Sequence, residues 1–251
     1  MTKLSSFVIF DLYGTLVLTH ENGRAWTAWN DYLVEYIRRA GGDAQAVCEL
    51  SNDFWDLEQD TSSSNTTVFE YRLQTLLDRL SLNKTGDEVR HLADKLCGIW
   101  QDGLRFDPAV YDVLPRLGGR AGLVTNFDHP PHVRKLIKES GLDTHLGTVV
   151  VSGEEGVLKP DPKLLLIACR NIGCSPEHSI YVGDSIVDFE AAAAAGMRPV
   201  LIKRDGQETP WGRRGSSPPP FDIPEYIQEK KKSGELDIIK SLTDIPAYIG
   251  R

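Results

Sequence analysis

Phe7-Val8-Ile9-Phe10-Asp11-Leu12-Tyr13-Gly14-Thr15-Leu16 is the stretch on which the fold of this chain turns. Its first four residues are all apolar and two are β-branched. The run is too short for a helix and lacks polar alternation, the pattern of a strand buried on both faces. It stops at a carboxylate, Asp11, and Gly14 then lets the chain turn.

Working outward, the same design recurs. Similar strands at 121–124, 148–151, 179–182 and 199–202 stop respectively at Thr125-Asn126, Ser152-Gly153, Gly183-Asp184 and Lys203. Between them lie helical patterns at 109–117, 131–140, 162–172 and 186–195, the last three followed by Gly141, Gly173 and Gly196 as stops. Strand and helix alternate from about residue 106, which predicts an α/β protein with a Rossmann-like parallel sheet and helices on both faces. Ligands bind such sheets at the carboxyl ends of the strands, where this sequence places its polar residues.

Residues 19–105 differ. Strand signals are weak there, and apolar residues fall at helical spacing over 26–37, 44–57, 69–80 and 89–100. The expectation is a four-helix-bundle cap inserted after the first strand, with residues 1–18 and 106–251 forming the core and a cleft between the two. Residues 205–235 read as an irregular loop, with Pro210, Pro218, Pro219, Pro220, Pro224 and a basic run at 230–232. A last strand at 236–239 and a short closing helix at 242–249 follow.

Composition bounds the function. Of 251 residues, 28 are basic and 36 acidic, a net charge of -8 that argues against a protein coating nucleic acid or an anionic membrane. No stretch reaches the roughly 20 apolar residues of a membrane helix. The polar opening residues 1–6 do not read as a secretory signal. Cys48, Cys97, Cys169 and Cys174 are scattered without metal-ligand spacing, as expected of reduced thiols in a cytoplasmic protein. The chain is expected to act as a monomer or homodimer on a small molecule.

Four strand-end segments carry the chemistry: Asp11-Leu12-Tyr13-Gly14-Thr15, Thr125-Asn126, Lys159-Pro160 and Gly183-Asp184 with Asp188. Each alone has a bland alternative. Asp11 could be a turn residue, Lys159 a solvated loop lysine, and Asp184 and Asp188 helix caps. In this order and spacing the segments resemble the haloacid dehalogenase superfamily of hydrolases, over essentially the whole chain. A carboxylate at a buried strand end can attack phosphorus and form an acyl phosphate, splitting one hard hydrolysis into two steps. Gly14 and Thr15 let backbone amides face the transferred oxygens. Thr125 can donate its hydroxyl and Asn126 its backbone amide to a phosphoryl oxygen, and a fixed Lys159 ammonium can neutralise the charge that accumulates. The resemblance implies Mg²⁺ held by Asp11, Asp184 and the carbonyl of Tyr13, with Asp188 supporting it through water. Oxygen donors of this kind suit that hard cation.

One position departs from the pattern. Phosphatases of this superfamily usually carry a second aspartate two residues after the nucleophile, as general acid and base, a role contributing about 10² to 10⁴ in rate. Here that position is Tyr13. The substitution resembles the first motif of the metal-independent 2-haloacid dehalogenases, whose halide leaves without a proton. Three readings therefore stand: a Mg²⁺-dependent phosphatase acting on a small phosphorylated metabolite, a dehalogenase of halogenated acids, and a weakly active fold that binds a phosphorylated ligand. The pair Asp184 and Asp188 favours the first. Trp26, Trp29, Trp55 and Tyr32 could line a substrate pocket over the site, although the helical spacing of Trp26 and Trp29 suits the core of the cap.

Overall fold

The computed structural model describes residues 7–18, 22–45, 47, 54–57, 65–204 and 225–249. Its strands are β1 (Phe7–Phe10), β2 (Val17–Leu18), β3 (Arg105–Phe106), β4 (Ala121–Thr125), β5 (Leu146–Val151), β6 (Ser179–Gly183), β7 (Arg198–Ile202) and β8 (Asp237–Ile239). Six of them form one sheet in the order β5-β4-β1-β6-β7-β8, every neighbouring pair parallel. After β1 the chain builds outward through β4 and β5 on one side, then returns to build β6, β7 and β8 on the other. The topological switch thus lies at β1, where a crevice opens at the strand ends.

Strand periodicity assigns the two faces. Val8 and Phe10 enter one apolar cluster with α4 (Val110–Arg116), α5 (Pro130–Glu139) and the closing 3-10 turn Leu242–Tyr248. Ile9 enters another, against α7 (Lys163–Ile172) and α8 (Ile186–Ala195). The small residues Ala191, Ala192 and Ala195 let α8 lie close on the sheet. Both faces are covered, as the uninterrupted apolar run in β1 requires. A four-residue helix, α6 (Ser152–Glu155), follows β5 directly.

Between β2 and β3 lie α1 (Asn22–Arg39), a 3-10 turn Phe54–Asp56, α2 (Val68–Arg79) and α3 (Gly86–Asp102). Three of the four expected helical segments fall on α1, α2 and α3; half of 44–57 lies outside the described residues, and the 3-10 turn Phe54–Asp56 is the only helical segment described at its end. Capping boxes at Thr67 with Glu70 and Thr85 with Glu88 start α2 and α3, and Leu33, Leu73, Leu77, Leu92 and Leu96 join a separate apolar cluster. An antiparallel β2–β3 ribbon, which no sequence signal announces, pairs Val17 with Phe106 where the chain leaves and rejoins the sheet. Two residues per strand are too few to show periodicity. Buried polar contacts tie α2 and α3 to the loop after β4. Arg72 pairs with Asp128, and His129 sits between Thr67 Oγ1 and Asp94 Oδ1, each at 2.9 Å.

Two expectations near the C-terminal end need correction. Residues 205–235 are not irregular throughout, because Glu225–Ser233 form a helix, α9. Its Glu, Gln and Lys residues favour helix without an apolar stripe to announce it, and Lys230, Lys231 and Lys232 suit the negative end of the helix dipole. Residues 205–224 lie outside the described residues. The closing helix at 242–249 is a 3-10 turn, Leu242–Tyr248, in which Pro246 removes a backbone donor. Among the described residues no helix is long and apolar enough to cross a membrane.

Candidate active site

Strand register brings the site together. Phe10, the last residue of β1, pairs with Leu123 on one side and Val182 on the other. Asp11, Thr125 and Asp184 therefore emerge at three adjacent strand ends, at the switch of the sheet. All three are buried, as are Thr15, Lys159 and Asp188.

Lys159 arrives from the loop after α6 and is fixed by Asn126. The Lys159 amide donates to Asn126 Oδ1 at 2.9 Å, and Asn126 Nδ2 donates back to the Lys159 carbonyl at 3.1 Å. Both side-chain amide atoms of Asn126 thus bond to the lysine backbone. The Lys159 ammonium donates to Asp11 Oδ1 at 2.6 Å, Asp188 Oδ1 at 2.7 Å and the Tyr181 hydroxyl at 2.8 Å. Burial alone would lower the lysine pKa, but Asp11 and Asp188 outweigh it and raise it, so the ammonium stays charged. Asp11 is pushed up to about 6 by burial, against the pull of Lys159.

Asp184 and Asp188 differ in their partners. Asp188 serves in capping, as the N3 partner of the N-cap residue Ser185 in a capping box at the start of α8. Its two oxygens accept from Lys159 Nζ, Tyr181 OH, Ser185 N, Ser185 Oγ and Asp184 N. Those donors use the acceptor capacity of a carboxylate. Lys159 and Ser185 accordingly hold its pKa below the ordinary value despite burial. Gly183 is needed here because a Cβ would lie 2.4 Å from Asp188 Cγ.

Asp184 does no capping. Its Oδ2 is buried without a hydrogen-bond partner, and burial, reinforced by Asp188 and Asp11, pushes its pKa well above the ordinary value. Gly14, at φ +88°, passes so close that a Cβ would lie 1.9 Å from Asp184 Oδ2. The Tyr13–Gly14 backbone therefore lies directly against this carboxylate. One oxygen from each of Asp11, Asp184 and Asp188 falls within 4.8 Å of the others, with Lys159 as the cation in contact with two of them. A buried cluster with an unpartnered carboxylate oxygen and more anions than cations fits a small divalent ion with oxygen preference.

Tyr13 points its hydroxyl towards the helical layer, donating to Gln101 Oε1 at 3.1 Å, and its ring packs on Trp100 and Phe127 with centroids 4.8 and 5.3 Å away. Burial first, then Cys97 and Asp11, push the phenol pKa well above 10.0. Thr15 Oγ1 is also buried and without a partner, although its side chain was singled out only as part of the turn.

Two contributors escaped the sequence reading. Tyr181, inside β6, carries the hydroxyl that bridges Lys159, Asp188 and the Val124 carbonyl; a lone tyrosine in an otherwise aliphatic buried strand was the available signal. Arg204 follows β7 and donates to the carbonyls of Gly14 and Thr15 at 2.9 and 2.7 Å while pairing with Asp107 at 2.6 Å. It holds the turn after Asp11 from across the sheet, and no local pattern marks it.

Residues 6–196, more than half of the chain, match the haloacid dehalogenase-like hydrolase family, and the chain belongs to that family. It is 36% identical over 119 residues to a glyceraldehyde 3-phosphate phosphatase of Methanopyrus kandleri, covering 45% of this chain and 51% of that protein. Over 116 residues it is 35% identical to a phosphoglycolate phosphatase of Salmonella typhi, covering 45% of this chain and 46% of that one. The chain thus spans about half the length of the curated relatives it matches. A HAD phosphatase from Thermococcus onnurineus superimposes with a TM-score of 0.60 at 18% identity, covering 98% of this chain and 97% of that one. A 2-haloacid dehalogenase from Pseudomonas syringae pv. Tomato DC3000 gives 0.60 at 22%, covering 99% and 98%. Both likenesses are of fold, and equal scores for a phosphatase and a dehalogenase leave the reaction to be argued from the site.

Proposed function

We propose that this hydrolase is a Mg²⁺-dependent phosphatase acting on a small phosphorylated metabolite through an aspartyl-phosphate on Asp11. The observation that carries the reading is the buried, unpartnered Asp184 Oδ2 beside Asp11, pressed against Gly14. Asp11, Asp184 and the Tyr13 carbonyl would hold the ion, with Asp188 acting at one remove. When bound it would supply positive charge to the transferring phosphoryl oxygens.

Asp11 forms the bond to phosphorus as the ester oxygen leaves, and water later releases phosphate from the acyl phosphate. Lys159 is aimed at the nucleophile and offsets charge on both partners. The Thr125 hydroxyl, the Asn126 amide and the turn at Gly14 and Thr15 surround the phosphoryl group. Residues 19–105 act as a cap that supplies substrate contacts and excludes water. The leaving oxygen receives no carboxylic proton from position 13. A phenol held on Gln101 with a raised pKa is a poor acid, so turnover is slower than with an aspartate there.

Tyr13 is the observation that supports a second reading, displacement of halide by Asp11 without metal. A panel of small phosphoesters and 2-haloacids, assayed with Mg²⁺ and with chelator, separates them. Mg²⁺-dependent phosphate release supports the first, and chelator-resistant halide release replaces it with the second.

A further inference from the structure

Above the strand ends the helical layer leaves a cavity of about 140 Å³. Its walls include Trp26, Trp29, Trp55, Phe69, Trp100 and Phe127. Trp55 and Phe69 stack at an interplanar angle of 5°, while Trp26 meets Trp29 and Trp55 nearly edge-on at 69° and 84°. Tyr32, grouped with these tryptophans by sequence, lines a separate surface groove beside Glu35 and Lys84.

The cavity lies beside the ring of Tyr13 and the residue that fixes Lys159. Its walls Trp100 and Phe127 both pack on the ring of Tyr13, two residues from Asp11, and its wall Asn126 holds Lys159.

No lysine or arginine is among the described residues lining it. Of its polar side chains, Asp128 is engaged with Arg72, His129 with Thr67 and Asp94, and Asn126 with the Lys159 backbone. A second carboxylate or phosphate on the substrate would therefore meet aromatic faces and the acid Asp128, losing hydration without gaining a cation. An apolar group loses nothing comparable. Apolar cavities of about 150 Å³ hold one benzene-sized guest, and aromatic walls set edge and face together suit a flat ring.

We infer that this cavity receives the organic part of the substrate, and that this part is uncharged, apolar and about the size of one six-membered ring. The inference rests on the phosphatase reading for the chemistry at the other end of the molecule. Phosphoglycolate, with its carboxylate, is the wrong shape and charge for this cavity.

The test compares benzyl phosphate, ethyl phosphate and phosphoglycolate with Mg²⁺, and titrates the metal-free protein with benzyl alcohol by calorimetry and tryptophan fluorescence. Benzyl and ethyl phosphate have similar leaving groups, so their ratio reads the pocket. Benzyl phosphate should exceed each of the others in kcat/KM by at least about tenfold, the scale on which hydrophobic pockets discriminate by size. Benzyl alcohol should bind saturably. Cys97→Phe, which grows a ring from the α3 wall, should lower both the benzyl-to-ethyl ratio and benzyl alcohol binding. Trp55→Ala should shift preference towards 2-naphthylmethyl phosphate, and serves if the fuller variant fails to fold. Equal or better turnover of ethyl phosphate or phosphoglycolate overturns the inference and leaves the phosphatase standing. Benzyl alcohol binding that Cys97→Phe removes, without turnover of any ester, upholds the occupant and overturns the phosphatase. Neither binding nor turnover overturns both.

Discussion

Asp184→Asn should make the metal-free protein more stable and should remove the stabilisation that Mg²⁺ gives. Three carboxylates offer oxygens within 4.8 Å of one another, and Lys159 touches Asp11 and Asp188 but makes no ion pair with Asp184. Two unit charges at that spacing repel by about 3.5 kcal/mol at an effective dielectric constant of about 20. Burial, reinforced by Asp188 and Asp11, raises the Asp184 pKa, so this repulsion favours its protonated form. Asparagine keeps the shape, carries no charge, and offers an amide that can donate to an adjacent carboxylate. With the repulsion as a ceiling, the expected gain without metal is about 1–3 kcal/mol, or roughly 2–4 °C in Tm per kcal/mol for a chain of this size. Mg²⁺ at about 100 times its Kd should add about 2.7 kcal/mol to wild type and almost nothing to the variant. Thermal melts of both proteins in chelator and in saturating Mg²⁺ measure the four quantities. A variant that is less stable in chelator, or one that Mg²⁺ stabilises as much as wild type, would refute the reasoning that this carboxylate awaits a cation.

Acidity gives a related test. Asp11 titrates at about 6 against an ordinary 3.8 because it is buried, so the folded state binds this proton more tightly than the unfolded one. Metal-free stability from this group is therefore full below about pH 3.8 and lost as pH rises through about 6, a change of about 3 kcal/mol. Asp188, held low by Lys159 against its burial, works oppositely and only as pH falls below 3.8. Denaturant melts with chelator should show stability declining between about pH 4 and 6, and a rise over that interval contradicts the assignment. Asp11→Asn should abolish turnover in a folded protein, and beryllium fluoride should bind wild type but not the variant; activity near wild type excludes covalent catalysis on Asp11. Tyr13→Asp should raise phosphoester turnover by about one to two decades while losing the ring contacts with Trp100 and Phe127, so rate and Tm are read together. Unchanged turnover in a stable variant means proton delivery is not limiting and favours the dehalogenase reading.

Much of the molecule was legible because the deciding information is local. The runs before Asp11, Thr125 and Asp184 announce buried strands, and Gly173 and Gly196 fall where α7 and α8 stop. Strands alternating with helices imply a parallel sheet, and polar residues at strand ends then imply a shared crevice. Local signals fail where an element is held by tertiary pairing, as in the two-residue β2–β3 ribbon, or where it lacks an apolar stripe, as in α9.

What the sequence determined by itself was the class of the fold and the set of groups at the strand ends, since backbone periodicity and side-chain chemistry are properties of the chain. Only the tertiary structure decided how those groups share the work. It gave Asp188 to the helix cap and Lys159, left Asp184 Oδ2 unpartnered, turned Asn126 onto the lysine backbone, and brought Arg204 onto the Gly14–Thr15 turn. The physical reason is that a carboxylate has few acceptor sites and an ammonium three donors. Which partners take them depends on distances between segments up to 190 residues apart, and those distances exist only once the sheet has assembled.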